Sequence, residues 1–325
     1  AEMVHEVLRT NFLNDGKYTE RFEQEITKLL GVRYAVAVTS GTMAIFAALA
    51  ALGIGRGDEV LVPDVTFIAT ANAVTLTGAK PVLVDIDPAT LNISIDAILK
   101  KITSKTKAII PVHVSGRGAA MKAILSVAAE HKLEVVEDAA EALLSKQGGQ
   151  SLGTFGRMGC FSFSPNKTVM TGQGGIVVTN DQPLYIRLKE LKDQGRPVRG
   201  TGGDDIHVSV GYNLKFTNIQ AAVGLAQLCR LSERIERQKK IREIYGNELG
   251  SVRGIELLPF DLGGGEVPQW TDAISDARDP LCEYLEQNQI GFRKFWFPLH
   301  HQKPYQLPDA TFPVSTAMMP KAFWL

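Results

Sequence analysis

Over its first two-thirds the chain alternates short, mostly apolar runs with stretches of helical periodicity, and that alternation narrows the fold more than any other feature. Residues 59–63, 80–85, 108–113, 134–138, 160–163 and 175–179 read as strands. Residues 43–52 and 119–131 read as helices. The first of these is capped by Ser40-Gly41-Thr42 and stopped by Gly53 and Gly55. Strands interleaved with helices predict an α/β architecture, with a mostly parallel central sheet covered on both faces. Ligands in such sheets sit at the carboxyl ends of strands, where Asp85, His113 and Asp138 fall.

A long helical pattern runs from residue 218 to 249, its second half highly charged, and Gly250 and Gly254 follow. This predicts a large domain over residues 1–249 and a smaller C-terminal α+β domain over 250–325. The latter holds a helix over 279–288 and a strand over 321–325. That last strand breaks off where the sequence ends, so the expectation is a cropped chain.

Lys plus Arg equals Asp plus Glu at 35 each, so no basic excess points to nucleic acid or a membrane surface. Cys160, Cys229 and Cys282 are scattered and form no CxxC pair, which argues for three reduced, buried thiols rather than a disulfide framework or a zinc site. No apolar stretch is long enough to span a bilayer, and Glu2, His5 and Glu6 interrupt any leader-like pattern, so the cytoplasm is the expected compartment. His300-His301 lacks an acid or cysteine at ligand spacing, and no metal is expected.

Four short segments carry chemistry. Lys167 follows the strand over 160–163 in a loop of small and polar residues, where an amine can form a Schiff base with an aldehyde cofactor. Ser162, five residues earlier, can donate to a phosphate. Asp138 ends a strand, where a buried carboxylate can keep a pyridine nitrogen protonated. Ser40-Gly41-Thr42 opens a helix, whose free amides and positive end favour a phosphate. Phe67, after another strand, can stack on a flat ring. Taken singly, each has a plainer reading: a surface-loop lysine, an acid capping a turn, an ordinary N-cap, a core phenylalanine. Taken together they match what pyridoxal 5'-phosphate requires.

The order Ser40-Gly-Thr42, Gly57-Asp-Glu-Val60, Pro63 to Phe67, Val84-Asp-Ile-Asp-Pro88, Pro111-Val-His113, Glu137-Asp-Ala-Ala140, Phe161-Ser-Phe163, Lys167, Gly174-Gly175 and Gly211-Tyr-Asn213 resembles the DegT/DnrJ/EryC1/StrS sugar aminotransferases over nearly the whole chain. The resemblance implies the type I (aspartate aminotransferase) fold of pyridoxal-phosphate-dependent transferases. It also implies a homodimer with shared active sites and a part in polysaccharide or O-antigen biosynthesis. Residues 137–142, 166–168, 171–175, 217–222 and 224–228 look nearest to the perosamine-forming branch, which moves an amino group from L-glutamate to C4 of a GDP-linked 4-keto-6-deoxy sugar.

By position, the resemblance makes Lys167 the cofactor-bearing lysine and proton carrier, Asp138 the partner of the ring nitrogen, and Phe67 the ring stack. Gly41, Thr42 and Ser162 hold the phosphate, joined by Asn213 from the other subunit. Glu141 lies near the cofactor's phenolic oxygen, and His300 and Arg293 near the sugar nucleotide. Lys167 itself favours transamination over the related dehydratase branch, which carries histidine there. Gln173, Lys215, Arg157 and Ala120 depart from residues common in the family. They bear on the choice of sugar nucleotide and motivate one alternative, a non-catalytic sugar-nucleotide-binding relative; a sugar-nucleotide dehydratase is the other.

Overall fold

The computed structural model describes residues 1–197 and 205–325. The first part of the chain carries helices α1 (Glu2–Thr10) and α2 (Lys17–Leu30), strand β1 (Tyr34–Val38), α3 (Gly41–Ala51), β2 (Glu59–Pro63), α4 (Ala69–Leu76), β3 (Lys80–Val84), α5 (Ile95–Lys101) and β4 (Thr106–Ile109). There follow α6 (Met121–His131), β5 (Glu134–Asp138), a hairpin of β6 (Lys146–Gln147) and β7 (Gln150–Ser151), β8 (Met158–Ser162), β9 (Gly175–Thr179), α7 (Gln182–Lys192), α8 (Asn218–Leu228) and α9 (Leu231–Leu249). The remainder holds β10 (Glu256–Leu257), β11 (Asp272–Ile274), α10 (Arg278–Gln287), β12 (Arg293–Lys294), α11 (Pro313–Met318) and β13 (Ala322–Trp324).

Seven strands form the main sheet in the order β1-β9-β8-β5-β4-β2-β3. The pairs β2–β3, β2–β4, β4–β5 and β5–β8 are parallel, and only β9 runs against its neighbours. Successive side chains point to opposite faces of a strand. Val36, Val60, Val62, Cys160 and Val177 therefore pack under α3, α4 and α7. Ala35, Ala37, Phe161, Ile176 and Val178 pack against α2 and α8 on the other face. Leu61 and Ile109 meet α5 and α6 there too. Burial on both faces is why these strands are apolar throughout rather than alternating.

A second, four-stranded sheet in the order β10-β11-β13-β12 is antiparallel. One of its links to the first part of the chain is a buried ion pair. Arg117 Nη2 lies 2.7 Å from Asp272 Oδ2. The same guanidinium donates to the carbonyls of Pro259 (2.8 Å) and Thr90 (2.9 Å). Asp272 also accepts from Ser115 Oγ at 2.6 Å and from Trp324 Nε1 at 2.8 Å. Burial raises the pKa of Asp272, and Arg117 opposes the shift.

Three expectations are corrected. The pattern over 218–249 is two helices: Arg230 (φ −115°, ψ 17°) leaves the helical region, so that Leu231 joins the apolar cluster of Phe22 and Leu225 while the charged remainder of α9 follows the surface. The strand expected over 108–113 ends at Ile109, because Pro111 has no N–H for the ladder. Cys229, at the foot of α8, is exposed; Cys160 and Cys282 are buried.

Two outcomes follow from these contacts. Ala120 sits at the N-cap of α6 and offers no side-chain acceptor. Ala120→Asp will therefore stabilise the protein by about 0.5–2 kcal/mol, read as a higher urea midpoint. Arg117→Ala leaves the Asp272 carboxylate buried and unpaired, and will lower stability by about 3–5 kcal/mol in the same assay.

Candidate active site

Strand β5 ends in two adjacent carboxylates, and the alternation of the strand sends them to different places. Glu137, fully buried, accepts from the amides of Gly153 (2.8 Å), Phe155 (2.6 Å) and Gly156 (2.7 Å) and faces His113 Nε2 at 2.9 Å. It shapes the loop before β8. His113 takes the N–H of Ala119 on Nδ1 (3.2 Å), so both its nitrogens are used within the fold. Asp138 turns instead into a cavity of about 320 Å³ at the carboxyl ends of the parallel strands. It accepts from Thr70 Oγ1 at 2.8 Å and from the Ala140 amide at 3.1 Å. Burial raises its pKa, although these hydrogen bonds and the charge of Lys167 pull the other way.

Lys167 lines the same cavity. Its loop leaves the sheet at Ser162 and turns tightly, with the Lys167 amide donating to Ser164 O at 3.0 Å. The ammonium lies 3.0 Å from Glu141 Oε1. Glu141 is held in turn by the Ser115 amide on Oε2 (3.0 Å) and by Trp270 Nε1 on Oε1 (3.3 Å).

The start of α3 forms another part of the wall, with Gly41 and Thr42 as its first residues. Amides at these positions have no acceptor inside their own helix. Ser40 caps it by accepting from Met43 N at 3.2 Å. A Cβ on Gly41 would lie 2.8 Å from Ser162 Cβ and 3.0 Å from its Oγ, so glycine is what lets that hydroxyl stand beside the helix end. A Cβ on Gly175 would come within 2.3 Å of Ser40 O, so the start of β9 can approach the cap only as glycine.

Phe67 lines the cavity and is 56% exposed, which rules out the core reading. Arg293 also lines it, its guanidinium 5.5 Å from the Trp324 ring centre. The structure thus brings Gly41, Thr42, Phe67, Asp138, Glu141, Ser162, Lys167 and Arg293 together. It does not bring His300. That imidazole has no exposed surface, stands 2.6 Å from Asp64 Oδ2 and stacks on Phe312. Asn213 bridges to Asp193 instead of lining this chain's cavity. Of the departures, Gln173 lines the cavity, whereas Lys215 and Arg157 pair with Asp193 and Asp181.

Sequence reasoning missed the aromatic wall of Trp270, Trp296 and Trp324, which the second sheet and its flanking segments contribute. It also missed Thr70, one helical turn beyond Phe67. The only signal for the first was the aromatic-rich tail.

A flat, phosphorylated pyridine aldehyde fits these residues. An amine, a buried carboxylate and a side-chain-free helix end beside a hydroxyl line one cavity. Sheet order and site together define a type I pyridoxal-phosphate-dependent transferase fold, and the class of protein is an aminotransferase. The chain belongs to the DegT/DnrJ/EryC1/StrS aminotransferase family, whose profile matches residues 1–325.

A GDP-perosamine synthase of Escherichia coli O157:H7 is 40% identical over 309 residues, which is 94% of this chain and 83% of that protein. The GDP-perosamine synthase of Vibrio cholerae is 37% identical, over 93% of this chain and 83% of its own. Among solved structures, DesV of S. venezuelae, crystallised with a ketimine intermediate, superposes with a TM-score of 0.94 at 32% identity, covering 100% of this chain and 87% of that one.

If the α3 end is the anion site, Gly41→Val will displace Ser162 and remove at least one charge-assisted hydrogen bond. Affinity for pyridoxal phosphate, followed by absorbance titration, will fall by at least about tenfold.

Proposed function

We propose that this aminotransferase depends on pyridoxal 5'-phosphate and moves an amino group from L-glutamate to a nucleotide-linked 4-keto-6-deoxy sugar; the relatives named GDP-perosamine synthase point to a GDP-linked one. The observation that carries the reading is that Lys167 and Asp138 line one cavity whose wall includes the start of α3. When bound, the cofactor supplies an aldehyde to carry the amino group and a ring that withdraws electrons from the reacting carbon.

The chain's residues do the rest. Gly41, Thr42 and Ser162 bind the phosphate, and Phe67 covers the ring against water. Asp138, oriented by Thr70, holds a positive charge on the ring nitrogen; a cation there offsets the burial that otherwise raises its pKa. Lys167 carries the proton to and from the reacting carbon, and Glu141 steadies its Nζ between visits. Arg293, at the rim of the aromatic wall, takes an anionic group of a substrate, a carboxylate or a phosphate. Asn213 completes the phosphate site of a second copy in a homodimer. Residues 1–249 bind the cofactor, and 250–325 close over the substrate. Because Lys167 is a lysine, amino transfer is favoured over dehydration.

A panel of GDP-, dTDP- and UDP-linked keto sugars, each incubated with glutamate, tests this through release of 2-oxoglutarate. Release with a GDP-linked 4-keto-6-deoxy sugar is expected. Lys167→Ala will lower it by at least about 10²–10⁴-fold. Ammonia release matched by 2-oxoglutarate, with a sugar product that has lost an oxygen and gained no nitrogen, would make the protein a dehydratase, and sugar-nucleotide binding without cofactor binding would make it a non-catalytic relative.

A further inference from the structure

We propose that His300, His301 and Asp309 form a binding site for a divalent transition-metal ion of the zinc class, outside the cavity and separate from amino transfer. Read along the sequence, the two histidines lack an acidic partner. Folding supplies one: the turn over Leu299–His301 and the turn over Asp309–Thr311 come together, closed by the Leu307 amide donating to His300 O at 3.0 Å.

The arrangement has the parts of a metal site. Asp64, fully buried, accepts the His300 backbone amide on Oδ1 at 2.8 Å and faces His300 Nδ1 with Oδ2 at 2.6 Å. A buried carboxylate at Nδ1 keeps the ring proton there, so the lone pair is on Nε2; carboxylate–histidine pairs behind metal ions work in this way. That Nε2 looks toward Asp309 Oδ1 at 3.5 Å, with Thr316 Oγ1 at 3.3 Å beside it. His301 Nε2 lies 2.8 Å from the same Asp309 oxygen. Zinc held tetrahedrally by nitrogen and oxygen at about 2.0–2.2 Å needs ligand atoms about 3.3 Å apart, and the two separations bracket that spacing.

The site is pre-organised on one side and open on the other. His300 has no exposed surface and stacks on Phe312 with ring centres 4.6 Å apart, so its ring is fixed. Asp309 is 62% exposed and His301 31%, so an ion can enter from solvent and keep a water as its fourth ligand. Two imidazoles and one carboxylate suit zinc and its neighbours; calcium and magnesium prefer all-oxygen shells. The cation also relieves the juxtaposition of a lone pair with a carboxylate oxygen.

The test titrates the full chain, freed of metal by a chelator, with ZnCl₂ in a calorimeter and with CoCl₂ in a spectrophotometer. One ion per chain is expected, with the absorption of a four-coordinate cobalt site. His301→Ala and Asp309→Ala, both at the surface, will each weaken binding by at least about tenfold, the scale on which even an outer partner matters. Asp64→Asn will weaken it by about 10–100-fold if that buried position tolerates the change. Cys229→Ser, which removes the exposed thiol, will leave the affinity unchanged. Absence of a zinc heat and of a cobalt band in the unmodified chain would overturn the proposal. So would His301→Ala and Asp309→Ala variants that bind as tightly as the parent.

Discussion

The buried contact between Arg117 and Asp272 decides whether the cavity has a second wall. Everything that covers the main sheet's carboxyl ends from the far side, including Trp270, Trp296, Trp324 and Arg293, belongs to the second sheet or its flanks. A buried charge pair contributes little net stability compared with apolar residues of the same shape. Its value is positional. Asp272 uses both oxygens, one toward the guanidinium and one toward Ser115 and Trp324, so the sheet can dock in one orientation only. The aromatic wall then follows, since Trp324 is itself a ligand of that carboxylate.

The cavity in turn rests on small residues. Glycine at 41 and 175 lets a helix end, a strand and a serine hydroxyl approach more closely than any side chain allows. The charged groups are then few and well separated in task. Glu141 stands by the amine, Asp138 lies across the cavity wall under Thr70, and Arg293 waits at the rim.

Much of this could be read in the sequence, for physical reasons that also explain the failures. Strands β2 and β9 were legible to the residue because both faces are buried and the runs are largely apolar, and β5 because its paired valines are bounded by acids. The residues Lys167, Asp138, Gly41, Ser162 and Phe67 were legible because each lies at or just beyond the end of an element that could be located in the sequence. What the sequence could not announce depended on distance along the chain. Asp64 meets His300 from 236 positions away, and no local pattern signals that contact. Asp309 reaches His301 only after the chain doubles back. The bend at Arg230 was hidden by a run of good helix formers, because a tertiary contact of Leu231, not propensity, sets it.

The end of β5 has one more implication. Its sequence is Glu-Val-Val-Glu-Asp, so a slip of one position trades valine for valine and acid for acid on the two faces. Apolar patterning is blind to that error, yet it would exchange the carboxylate that shapes a loop for the one that meets a ligand. Discrimination falls to reach: three amides at 153, 155 and 156 converge on the longer arm of glutamate, beyond the span of aspartate. A single methylene group therefore tells the strand which way to face.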